Sequence, residues 1–139
     1  MSPPTFKLRE FAKRLIAHET QGSGSSRTKR PSDFPVIEKL RPQLTTLMGG
    51  VGFHSLLLRS RALAGVDFPW LRKLKIKEDG SFEALNELEA EVGAEEIFEG
   101  KVALVAQLFG LLLAFIGEKL TLRLVQEVWP KLPPPKKMI

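Results

Sequence analysis

The sequence predicts an all-α fold, a small helical bundle built around one long hydrophobic helix, with a minor β-hairpin near residues 74–83 as the only β structure. Three observations predict it. Apolar residues recur at steps of three and four through most of the chain, which is the period of a helix with one buried face. From Val102 to Gly117 no residue is charged and only Gln107 is strongly polar. Apolar and basic residues alternate in Leu74-Lys75-Ile76-Lys77, just ahead of the turn-forming pair Asp79-Gly80.

Taken in order, Pro3 and Pro4 stand where a helix tolerates proline, in its first turn. Leu8, Phe11, Ala12, Leu15 and Ile16 then share one side of a short helix, with Lys7, Lys13 and Arg14 on its other faces. Residues 1–18 are therefore read as a basic amphipathic arm, either packed on the domain or docking elsewhere. Residues 19–33 contain no aliphatic or aromatic residue and are dominated by Gly, Ser and charge, the composition of a flexible linker. A helical domain is expected over 34–130, followed by a proline/lysine tail at 131–139.

Within that domain Val36, Ile37, Leu40, Leu44, Leu47 and Met48 form one apolar stripe. Pro42 interrupts it and predicts a kink or a fresh helix start there. Gly49-Gly50-Val51-Gly52 is read as a close approach or a break between two helices. It does not resemble a phosphate loop, since no strand leads in and no Lys-Ser/Thr pair follows. A second helix runs to about Ala64 with Gly65 as its stop. Trp70, Leu71 and Leu74 look like core anchors. Asp79-Gly80 predicts a tiny hairpin closing on Phe82, the alternative being that Ser81 caps the next helix. Phe82, Leu85, Leu88 and Val92 give an acidic amphipathic segment ended by Gly93.

The long helix follows, from Ala94 to Trp129, read as one rod. Apolar on every face, its centre must be covered on every face. Its uncharged run of 16 residues falls short of the roughly 20 that span a bilayer. A buried helix in a soluble protein is the favoured reading, ahead of a membrane-embedded one or an exposed surface awaiting a partner. Ala103, Ala106, Gly110, Ala114 and Gly117 form a small-residue stripe that admits another backbone closely. Glycine inside a helix costs about 1 kcal/mol relative to alanine. Gly110 and Gly117 therefore require a compensating contact or a local bend.

The formal charge of +5 hides a strong asymmetry. Residues 1–77 hold 15 Lys/Arg against 5 Asp/Glu, residues 78–100 hold 9 Asp/Glu and no base, and residues 101–139 hold 6 Lys/Arg against 2 Glu. The plain expectation is that the acidic block folds back over basic helices. The sharper one is a free basic face for nucleic acid, anionic lipid or an acidic protein. Arg59, Arg61, Arg72, Lys73, Lys75 and Lys77, with Trp70 among them, are the candidate nucleic-acid contacts.

Catalytic chemistry is not legible. The chain has no cysteine, which removes disulfides, thiolate zinc sites and cysteine nucleophiles, and which fits a cytoplasmic setting. His18 and His54 lack partners at metal-ligand spacing, and Glu91, Glu95, Glu96 and Glu99 read as a solvated helix start. No signal-peptide pattern opens the sequence. The expectation is a non-enzymatic interaction module without cofactor or metal, self-associating or an accessory subunit of a larger assembly. Its predicted contacts are the small-residue stripe and the basic residues Lys7, Lys13 and Arg14. The alternatives are nucleic-acid binding through 59–77 and membrane association through 102–117.

Overall fold

The computed structural model describes residues 6–22, 34–83 and 85–133. The prolines at 3 and 4, most of the expected linker including Arg27, Lys29 and Arg30, and the tail from 134 onward lie outside the described residues. The chain is all-α with one small hairpin. Helix α1 spans Phe6–Gly22, α2 Pro35–Ala64, α3 Leu85–Val92 and α4 Ala94–Val128. A 3-10 turn, Pro69–Lys73, follows α2, and strands β1 (Lys75–Ile76) and β2 (Phe82–Glu83) lie between it and α3.

Helix α4 is the centre of the packing. Its residues 102–106, 108–109 and 111–112 are all buried, as an all-apolar helix requires. Helices α1 and α2 both lie against it. The apolar side of α1, Leu8, Phe11, Ala12, Leu15 and Ile16, belongs to the same core. Phe11 meets Phe109 of α4 edge to face, 5.5 Å between centroids at 68°, the arrangement that ring quadrupoles favour. The basic amphipathic helix thus spends its apolar face on its own chain. It also continues past residue 18 to Gly22, because Glu19 has an internal role.

Glu19 is only 5% exposed. Its Oε2 accepts the indole N–H of Trp129 at 2.8 Å and pairs with Lys39 Nζ at 2.7 Å. One carboxylate therefore ties the ends of three helices, α1, α2 and α4. A buried carboxylate is tolerated because both a donor and a cation meet it.

Two positions set the shape of the long helices. In α2 the break falls at Gly49, with φ 81° and ψ 163°, while Pro42 sits inside regular helix. No fresh helix starts at Pro42: proline's own φ is helical, and the backbone stays helical through this exposed position. Gly49 instead adopts a backbone conformation essentially reserved to glycine. In α4 the same geometry recurs at Gly117, φ 87° and ψ 164°, so the segment expected as one rod is two pieces. Gly110 and Gly117, two of the three glycines inside α4, differ. Gly117 is the bend. Gly110 remains helical, and a Cβ built there would lie 3.8 Å from a Leu8 methyl of α1, an ordinary van der Waals contact.

The hairpin forms as expected. Lys75 pairs with Glu83 and Ile76 with Phe82, antiparallel. Ser81 does not cap α3. Its hydroxyl and its backbone N–H both donate to Asp79 Oδ1, at 2.6 and 2.9 Å. These bonds, the hydroxyl first, hold the Asp79 carboxyl below the ordinary aspartate range. The hairpin lies on α2, where the His54 imidazole sits 3.3 Å from the Ile76 carbonyl oxygen and Arg61 donates to the Leu74 carbonyl at 2.6 Å.

Opposite signs are expected for alanine at Gly110 and at Gly117 of α4. Gly110→Ala should stabilise by roughly 0.5–1 kcal/mol, because the backbone is helical and the new methyl meets only an ordinary contact. Gly117→Ala should destabilise by about 1–3 kcal/mol, the cost of forcing a side chain into that backbone region. Chemical denaturation of the two variants checks both signs. By the same measurement, Glu19→Ala should cost about 1.5–3 kcal/mol, since it strands the Trp129 N–H in the interior. An unchanged midpoint would remove Glu19 from the account of the helix ends.

Candidate interaction surface

The residues proposed for close pairing divide between the interior and the surface. Ala103 and Ala106 are buried, Gly110 is half-buried under Leu8, Ala114 is exposed and Gly117 is the break. The first part of the stripe therefore receives α1 of the same chain, and only Ala114 faces outward from a regular helix. Of the basic residues of α1, Lys7 is exposed. Lys13 pairs with Glu10 at 3.4 Å. The Arg14 guanidinium donates to the Pro133 carbonyl at 3.1 Å.

The basic set near 59–77 is likewise split. Trp70 is buried, and its ring lies so close to Gly100 that a Cβ there would come within 2.5 Å of it. Its face is not presented to a stacked base. Arg61 is engaged with Leu74. Arg59, Arg72, Lys73, Lys75 and Lys77 are exposed and make no ion pair among the described residues. Among the described residues the acidic segment meets them only at the hairpin, where Glu83 stands across from Lys75 and Asp79 lies near Lys77. Its Glu89 pairs instead with Lys101 at 2.9 Å, whose ammonium also lies over the Phe34 ring, 5.3 Å from the centroid. Among the described residues no three His, Asp or Glu side chains gather at metal-binding distance.

What the sequence reading missed is the end of the bundle where the two breaks lie. An all-apolar helix was expected to be covered along its whole length, but cover is interrupted between Leu113 and Leu120 and resumes at Thr121, Leu124 and Val125. Four large apolar side chains stand out there: Leu47 (50% exposed), Val51 (83%), Phe115 (70%) and Leu120 (48%). Leu47 and Val51 flank Gly49, and Phe115 and Leu120 flank Gly117. Two grooves run between α2 and α4 at this end. The larger, about 580 Å³, is lined by Met48, Leu56, Arg59, Leu111, Ala114 and Phe115 among others. The smaller, about 300 Å³, takes in Leu47, Ile116, Leu120, Arg123 and Glu127. Both breaks fall partway along their helices, and the large side chains beside each break are left out of the shared core. The signal in the sequence was the pairing of each break glycine with large apolar neighbours.

The chain matches no protein-family model, no curated protein and no solved structure. The reading of its function therefore comes from these surfaces.

Polar substitutions separate the exposed end from the core. Val51→Ser and Phe115→Ser should change folding stability by no more than about 0.5 kcal/mol, as surface positions do. Leu104→Ala, at a fully buried position of α4, should cost about 2–5 kcal/mol. Thermal or denaturant melts of the three variants check the contrast.

Proposed function

We propose that this protein is a non-enzymatic helical interaction module, an accessory subunit that docks a protein partner through the apolar end formed by the breaks at Gly49 and Gly117. The observation that carries the reading is the cluster of four large apolar side chains exposed on one end, beside two apolar grooves. Phe115 lines the larger groove and Leu47 and Leu120 the smaller, and exposed large apolar side chains that line grooves favour a contact surface over scattered surface leucines.

Magnitudes support a role for the grooves as well as the tips. Fully burying a side chain of this size releases about 1.5–3 kcal/mol. Four of them, already partly covered, would release roughly 4–8 kcal/mol on this scale. Association itself costs an estimated 4–15 kcal/mol. The exposed tips alone would give a weak complex, and a useful one requires the grooves to be filled too.

A second reading has its own observation. Helix α4 is long and apolar enough by composition to cross a membrane, and 56% of its most apolar stretch is buried inside the fold. The unburied part lies at the same end, so membrane association competes for the same surface. Retention on membranes through a carbonate wash would favour that reading.

The test uses the absence of native cysteine. Single cysteines placed at Phe115, at Val51 and at Lys73 can each carry a photo-crosslinker. The proposal expects one discrete protein adduct from positions 115 and 51, none from 73, and its loss when Leu47 and Leu120 are made serine. Equal labelling from all three positions, or lipid adducts alone at 115, would count against it.

A further inference from the structure

The larger groove has a chemistry as well as a shape, and we infer that its occupant is an acidic amphipathic helix supplied by the partner. This inference rests on the docking reading above and specifies what docks.

Shape points to a rod. The groove is a trough between α2 and α4, with Met48 and Leu56 on one side and Leu111, Ala114 and Phe115 on the other. A helix about 10–12 Å across lays an apolar stripe, with anchors at steps of three, four and seven, into such a trough. A flat lipid surface would cover the protruding tips and leave the trough unfilled. Methionine on the wall suits the occupant, because its flexible, polarizable side chain adapts to the anchors it meets.

Charge points to acid on the flanks of that rod. Helix α2 contains no Asp or Glu after Glu38, and α4 contains none from Lys101 to Gly117. The walls of the trough are therefore free of negative charge. Arg59 lines it and is exposed without an ion pair among the described residues. Beyond the break, Lys119 and Arg123 are exposed in the same condition, but Glu118 adjoins Lys119 in sequence and Glu127 lies beside Arg123 in the second groove, so the unbalanced positive charge is that of Arg59 in the trough itself. A helix with leucine anchors and glutamates on either side would pair with this cation. A lysine-flanked one would meet like charge with no acid in the trough to relieve it. Charges at the rim of an interface act on encounter and on the choice of partner more than on raw affinity, so the effect to look for is discrimination.

The experiment measures binding of three fluorescent 18-residue helical peptides to the full chain by anisotropy at low salt. All share the same leucine anchors, flanked by Glu, Gln or Lys. The expected result is that the Glu peptide binds at least tenfold tighter than the Lys peptide and loses that margin as salt rises. Phe115→Ser should weaken every peptide tenfold or more, and Arg59→Glu should reverse the preference, with circular dichroism showing both variants folded. Equal binding of Glu and Lys peptides, both lost in Phe115→Ser, would overturn the acidic partner and leave the docking reading standing. No peptide binding would overturn the inference. In that case Phe115-dependent capture by phosphatidylglycerol vesicles, or a Phe115-dependent dimer in sedimentation, would show which other occupant the end accepts.

Discussion

Burial of the α4 segment from Val102 to Leu112 is the constraint that organises this molecule. No face of that segment can meet water without cost, so each face needs a neighbour. Helix α2 supplies one long side. Helix α1 supplies another, with Leu8 over Gly110. Trp70 from the 3-10 turn closes a further face over Gly100. The buried Glu19 then fixes the ends of all three long helices by holding Trp129 and Lys39. Each element has a place because α4 must be wrapped.

The same logic explains where the wrapping fails. Gly49 and Gly117 take one unusual backbone geometry, and each interrupts its helix partway, with buried helical residues on both sides of the break. Beside the breaks the apolar interface of α2 and α4 is interrupted. Phe115 and Val51 are left facing solvent, and the grooves between the helices open beside them. Neither glycine is crowded by other residues, so glycine is present for its backbone freedom and not to make room.

Much of the fold was legible from the residues. Periodicity located α2, α3 and α4, and the alternation before Asp79-Gly80 located the hairpin. The small-residue stripe was visible too, but its meaning was only half readable. Spacing shows that Gly110 and Gly117 share a face; it does not say that one would receive Leu8 while the other would leave the helix. The extension of α1 through Glu19 was hidden because a charged residue in a Gly/Ser-rich context reads as solvated. Its partners, Lys39 and Trp129, lie 20 and 110 residues away, beyond any local pattern. The basic stretch around Trp70 misled in the opposite way: composition put an aromatic among cations, and tertiary packing took the aromatic inside.

The central claim is that the apolar end is open to solvent while the centre of α4 is wrapped. Methyl resonances report this most directly, through their attenuation by a soluble paramagnetic probe in dilute, monomeric protein. The methyls of Val51, Leu47 and Leu120 should broaden strongly, while those of Leu104, Val105 and Leu112 should be untouched. Protection of Val51 and Leu120 equal to that of Leu104 would contradict the account, because it would mean that the chain covers its own end.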